Sequence, residues 1–334
     1  MRLPLVDVSA LLDPDASDDE RVRTGRAIDA ACRDTGFMLI TGHGIDPALR
    51  DDLERLSREF FALPDEVKSQ IAMHHGGLAW RGWFPVGGEL TSGRPDRKEG
   101  VYFGTELADS HPRVLAGTPL HGRNLFPPGT AGWRDVVLRW IEQVTAVGQA
   151  LLGGVALGLG LEAGWFARHL TADPTVLFRV FHYPPGDTQS WGVGEHTDYG
   201  LITLLAQDQH GGLQVRSGDS WVDVPADPYV FVVNIGDMLE RMTRGGYRSN
   251  PHRVRNLSGA DRLSFPMFLD PSWDATVTPL PETVFAGRPD DGGQRWDGGQ
   301  RWDGKSVHAW DGVYGDYLTA KVAKVFPALA ATLR

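Results

Sequence analysis

The chain has 334 residues, 41% of them hydrophobic and 23% charged, which is ordinary globular usage and argues against wholesale disorder, collagen or coiled coil. At ~150 residues per domain this length allows one large domain or two smaller ones. The net charge of −10 gives no general attraction to phosphate backbones or anionic membranes, so a small-molecule partner is expected, with no nucleic acid and no membrane.

In chain order, Ser17 and Glu20 form an S-x-x-E capping box that starts a helix running to Arg33, with Gly36 as its stop. Phe37 to Thr41 is a short apolar run between breakers, hence a strand. Asp46-Pro47 opens a second helix, whose Leu49, Leu53, Leu56 and Phe60 share one face. Pro64 begins another short helical turn, and residues 72–132 read as loops with short strands. Helical spacing returns from Trp133 to Gly160. Five short runs rich in β-branched and aromatic residues follow: Val176–Tyr183, Leu201–Ala206, Leu213–Val215, Tyr229–Ile235 and Leu263–Leu269. Strands of this spacing suggest a sandwich or barrel. The tail after Tyr314 is again helical. The hexapeptide Asp-Gly-Gly-Gln-Arg-Trp, at 291–296 and again at 297–302, reads as a duplicated surface loop.

The single cysteine, Cys32, falls in a helical pattern and is expected to be a buried, inert thiol. The N-terminus lacks the apolar run of a signal peptide. No run of about 18 apolar residues exists; the richest stretch, Ala146 to Leu161, is short and carries five glycines. A cytoplasmic protein is expected. No motif encodes the substrate or the oligomeric state.

Two of the eleven histidines keep unusual company. His196-Thr197-Asp198 follows a glycine-rich turn, and on an extended segment both side chains would point to one face. His252 lies 54 residues beyond Asp198. Two His and one carboxylate on one face of an ion form the facial triad of non-haem Fe(II) sites, which leaves three coordination positions open for a co-substrate and O₂. H-x-D alone is weak, and on that pair alone a surface turn with an incidental His is the favoured reading. The downstream pair Arg262 and Ser264, two residues apart on a predicted strand, shifts the balance. A guanidinium fork and a hydroxyl in one cavity can grip a carboxylate.

On these residues the chain resembles the isopenicillin N synthase-like family of Fe(II)/2-oxoglutarate-dependent oxygenases, over nearly its whole length. The landmarks are Leu3-Pro4-Leu5-Val6-Asp7, Gly36-Phe37, Gly42-His43-Gly44, residues 194–200 around His196, Gly212-Leu213-Gln214-Val215, residues 233–237, residues 249–254 around His252, and residues 262–266. The resemblance implies a mainly β fold with flanking helices: a double-stranded β-helix (jelly roll) core with an N-terminal helical region and a C-terminal helix. It implies an N-terminal helical and mixed region over 1–115, helical support over 116–172, the jelly-roll core over 173–275, and a loop and C-terminal helix over 276–334, together one structural unit.

It also implies that His196, Asp198 and His252 are catalytic iron ligands and that Arg262, Ser264 and Tyr183 bind the distal carboxylate of 2-oxoglutarate. The implied reaction takes Fe(II), 2-oxoglutarate as co-substrate and O₂, yields succinate and CO₂, and hydroxylates, desaturates or cyclises a small metabolite or amino-acid derivative. An oxidase of the isopenicillin N synthase type, which uses no 2-oxoglutarate, and an ethylene-forming reaction are the alternatives. Arg81 and Trp83, in Trp80-Arg81-Gly82-Trp83-Phe84, are substrate candidates, together with Trp191 and Phe268, although each could be structural. The charge run Asp96-Arg97-Lys98-Glu99 reads as a solvated turn, His43 as structural, and His74-His75 as no metal site.

Overall fold

The computed structural model describes residues 2–91, 93–130, 132–186, 188–284 and 307–326. The duplicated hexapeptide lies outside the described residues. In chain order the strands are β1 (Leu5–Asp7), β2 (Phe37–Thr41), β3 (Gly82–Phe84), β4 (Leu90–Thr91), β5 (Arg94–Pro95), β6 (Glu99–Gly104) and β7 (Pro174–Tyr183). They continue with β8 (Val193–His196), β9 (Ile202–Gln207), β10 (Leu213–Ser217), β11 (Ser220–Asp223), β12 (Phe231–Ile235), β13 (His252–Val254) and β14 (Arg262–Ser272). The five predicted strand runs are β7, β9, β10, β12 and β14, with ends shifted by up to three residues.

Eight strands form one sheet in the order β1-β2-β12-β9-β14-β7-β6-β3, and four form a second, β11-β10-β13-β8. Strands from the N-terminal region thus extend both edges of the large sheet. Side chains of both sheets line one cavity, which is the arrangement of a jelly roll with helices outside. Strand periodicity sets what the cavity sees. From β7 it receives Leu177, Arg179, Phe181 and Tyr183; from β14 it receives Arg262, Ser264, Pro266, Phe268 and Asp270. The alternate residues Phe178, Val180, Leu263, Phe265, Met267 and Leu269 are buried in the hydrophobic core. Both faces of these strands are therefore covered, which explains their nearly unbroken apolar runs.

The helices form where the end signals lie. Ser17 caps Asp18–Asp34: its hydroxyl accepts from the Glu20 amide, and the Glu20 carboxylate accepts from the Ser17 amide at 2.8 Å. Gly36, at φ +68°, turns the chain out of that helix into β2. Asp46 accepts from the Ala48 amide at 2.9 Å and starts Pro47–Phe61. The helix Trp133–Gly158 packs on the Asp18–Asp34 helix, and this contact uses two glycines. A Cβ on Gly158 would lie 2.5 Å from the Gly25 carbonyl oxygen. The glycines of the 146–161 stretch thus include one placed for close helix approach. No helix of the described residues is long and apolar enough to cross a membrane.

Cys32 is fully buried, and burial pushes its thiol well above its usual range. We expect no reaction of the native protein with a thiol reagent and full labelling after unfolding; rapid native labelling would contradict this placement.

Candidate active site

His196 ends β8 and His252 starts β13, and the two are direct partners across this antiparallel pair. Register alone therefore brings the two imidazoles together, with ring centroids 4.2 Å apart. Asp198 follows β8 by two residues, and its Oδ1 lies 3.8 Å from His196 Nε2 and 3.6 Å from His252 Nε2. One ligand atom from each of the three lies within 4.8 Å of the others; among the described residues no other group of His, Cys, Asp and Glu does this.

Each imidazole is oriented through its other nitrogen. His196 Nδ1 faces the Gly194 carbonyl at 2.8 Å, and His252 Nδ1 faces the Asn250 carbonyl at 3.4 Å. An Nδ1–H held on a carbonyl leaves Nε2 as the lone-pair donor, the tautomer a metal needs. Burial, reinforced by the neighbouring His196, pushes the His252 pKa down to about 4, so that ring is neutral at pH 7. Burial raises the Asp198 pKa, but His252, His196 and two hydrogen bonds outweigh it and hold the carboxyl below its usual value. A carboxylate beside two imidazoles fits Fe(II).

The two hydrogen bonds on Asp198 come from Thr203, which the sequence did not single out, and from Asn234, which entered only as part of the 233–237 landmark. Thr203 Oγ1 donates to Asp198 Oδ2 at 2.5 Å, and Asn234 Nδ2 donates to the same oxygen at 2.7 Å. Thr203 and Asn234 are cross-strand partners on β9 and β12. A polar Asn inside the apolar run Phe-Val-Val-Asn-Ile was the available signal, since a buried amide needs a partner. Asn234→Ala is expected to weaken Fe(II) binding about 10–100-fold, as removal of an outer hydrogen-bond partner typically does. Metal titration would show this; an unchanged affinity would mean that Asn234 does not orient the ligand.

The cavity around this triad measures about 710 Å³, within the range of small-molecule sites. At one end Arg262 pairs with Tyr183 across β14 and β7. Arg262 is fully buried, its Nε donating to the carbonyls of His210 (3.0 Å) and Gly211 (2.9 Å). Its Cζ sits 4.5 Å from the Tyr183 ring centroid, and Ser264 Oγ lies 3.4 Å from the Tyr183 hydroxyl. Arg262 Nη1 is buried and has no hydrogen-bond partner. A guanidinium N–H without a partner, in a side chain packed beside two hydroxyls, has the chemistry to take a carboxylate.

Of the four substrate candidates, Phe268 alone lines this cavity. Arg81 is buried away from it, donating to the carbonyls of Thr105 (2.8 Å), Leu120 (3.1 Å) and Gly122 and to Asn124 Oδ1. Burial pushes its pKa down to about 10, and its work is to satisfy a loop's carbonyls. Trp83 donates from Nε1 to Glu99 at 2.8 Å beneath the Lys68 cation. Trp191 stacks with Arg253 and Arg255 on the outside of the small sheet's ligand strand.

The charge run 96–99 is a correction. Asp96, Lys98 and Glu99 are all buried, not solvated. They lead into β6, and strand alternation sends Lys98 toward the cavity, where it pairs with Glu89 at 2.8 Å and Asp96 at 2.5 Å. Glu99 points the other way, to Lys68 at 2.9 Å and His182 Nδ1 at 2.8 Å. Buried charges of both signs satisfy one another on each face.

Residues 3–129 match the family model of the N-terminal region of the non-haem dioxygenases in morphine synthesis, and residues 174–271 match that of the 2OG-Fe(II) oxygenase superfamily. A probable iron/ascorbate oxidoreductase of Dictyostelium discoideum is 44% identical over 98% of this chain and 96% of its own. A homoarginine-6-hydroxylase of Arabidopsis thaliana is 34% identical over 83% of this chain and 87% of its own. A full-length Neurospora crassa protein, in a crystal structure with alpha-KG and thymine, superposes with a TM-score of 0.77 at 25% identity, covering 99% of this chain and 97% of that one. With a His-Asp-His iron triad set in a jelly roll, the chain belongs to the 2OG-Fe(II) oxygenase superfamily and is a non-haem iron, 2-oxoglutarate-dependent dioxygenase of small molecules.

Proposed function

We propose that Arg262, Ser264 and Tyr183 hold the distal carboxylate of 2-oxoglutarate, while the rest of the cavity receives a small organic substrate that is hydroxylated. The observation that carries this reading is the orphaned Arg262 Nη1, a buried cationic donor with no partner inside the protein. Nε is fixed on two carbonyls and Nη2 lies 3.4 Å from Gln207 Oε1, so the guanidinium is held in place in the cavity wall. When bound, Fe(II) supplies the activation of O₂ coupled to oxidative decarboxylation of 2-oxoglutarate. The protein's own part is placement: His196, Asp198 and His252 fix one face of the ion, and Arg262 fixes the far end of the co-substrate. Leu177, Phe181, Leu205 and Phe268 exclude water from the space between. A cytoplasmic setting suits a chain whose one thiol is buried and unpaired.

The test is anaerobic addition of 2-oxoglutarate to the Fe(II)-loaded protein, followed by admission of O₂. The reading expects a visible charge-transfer band and then succinate. A band-free mixture, or turnover of a substrate without succinate, would overturn the 2-oxoglutarate assignment and favour an oxidase.

A further inference from the structure

We propose that Arg179 is a second anion anchor of this cavity and binds a carboxylate of the substrate, so that the enzyme acts on small acids with an apolar body. The proposal rests on the oxygenase reading above and names its substrate class.

Arg179 lies on the cavity face of β7, four residues from Tyr183, or about 13 Å along the strand at ~3.3 Å per residue. It pairs with Tyr102 of β6, whereas Tyr183 pairs with Arg262. The two guanidinium groups therefore root at separate places on the wall, and the acid held at Arg262 leaves Arg179 for another.

Arg179 is only 5% exposed, yet it makes no ion pair with a carboxylate among the described residues. Its Nη1 donors go to the Phe103 and Phe178 carbonyls at 3.3 and 3.2 Å, both long. Its guanidinium lies 3.4 Å over the Tyr102 ring. The acids nearby attract Arg179 but do not pair with it. Glu89 takes the Tyr102 hydroxyl and Lys98, and Asp270 takes the Tyr314 hydroxyl at 2.5 Å through Oδ2, while its Oδ1 has no hydrogen-bond partner. Burial lowers the Arg179 pKa, and the attraction of Tyr102, Glu89 and Asp270 does not offset it. An incoming carboxylate supplies a direct ion-pair partner, and buried Arg–carboxylate pairing is strong because the fork matches both oxygens.

The surroundings indicate the rest of the molecule. The Phe268 ring is 5.9 Å from the guanidinium carbon, and Phe181 and Phe326 line the same space. Lys324, exposed on the closing helix Tyr314–Val325, adds a cation to the lining of a protein whose net charge is −10. The lining also carries Glu89, Glu195, Asp198 and Asp270, so the preference for an anion is local to the guanidinium and not a property of the whole cavity.

The experiment uses the Fe(II)·2-oxoglutarate protein without O₂. Its visible band is titrated with phenylacetate, phenylpropanoate, hexanoate and phenylalanine, each beside its primary amide. At least one acid is expected to perturb the band saturably, and its amide at least about tenfold more weakly, the loss of one charge-assisted contact. R179Q should erase the preference for the acid, and R179K should keep part of it. Equal response to acid and amide, no saturable response to any acid of the set, or an R179Q response matching wild type would overturn the proposal. The wild-type comparison stands whether or not R179Q folds. A wild-type protein without any band overturns the oxygenase reading and the proposal with it; a band indifferent to every acid overturns the proposal alone.

Discussion

Asp198→Asn is expected to abolish succinate formation while leaving the fold in place. The carboxylate is the only acid among the three ligands, and its Oδ1 sits within 3.8 Å of both Nε2 atoms. Asn keeps the volume and can still accept the Thr203 hydroxyl, so the site's packing survives. Its amide, however, removes the negative charge from a buried position facing a dication. The loss in Fe(II) affinity should exceed the about 100-fold that removal of an outer hydrogen-bond partner costs. Metal titration measures that loss directly. Circular dichroism and the melting temperature of the metal-free protein separate it from misfolding, because the Asp198 backbone carbonyl still accepts from the Asp237 amide at 2.8 Å in the variant. A variant that binds Fe(II) normally and turns over would remove Asp198 from the ligand set.

The parts of this molecule legible in its sequence are those fixed by local pattern. The capping box at Ser17 and Glu20 and the Asp46-Pro47 start carry their hydrogen-bonding logic within four residues. The strands of the core announce themselves because both their faces are buried, which leaves a run of β-branched and aromatic residues. The metal ligands could be named because H-x-D places two of them on one face, and family resemblance supplied the third.

What escaped depends on which face of one element meets another. Lys98 and Asp96 look like surface charges in a short run, and only the pairing of β6 with β7 turns Lys98 toward the cavity. Thr203 and Asn234 reach Asp198 because β9 and β12 are in register at that pair, a fact no local window contains. The closing helix was foreseen as a helix, but not that Leu318, Val322 and Phe326 would line the cavity. Arg81 shows the converse error. Aromatic neighbours suggested a binding role, whereas the side chain is consumed by loop carbonyls.

Arg262→Ala should raise the KM for 2-oxoglutarate about 10–150-fold, the range of one lost hydrogen bond to a charged group at ~1.5–3 kcal/mol. Fe(II) affinity should be unchanged, because Arg262 touches none of the three ligands; its own bonds run to the His210 and Gly211 carbonyls and to Gln207 Oε1. Those carbonyls lose their donor in the variant, so some stability is lost too, and Arg262→Lys serves as the milder comparison. Lys keeps the charge but not the planar fork, and it should fall between wild type and Ala. Succinate formation at varied 2-oxoglutarate, with metal titration alongside, separates co-substrate binding from metal loss. A KM unmoved by Arg262→Ala would place the distal carboxylate elsewhere in the cavity. Arg179, the other buried guanidinium lining that space without a carboxylate ion pair, would then be a candidate to hold it, with Lys321 and Lys324 of the closing helix.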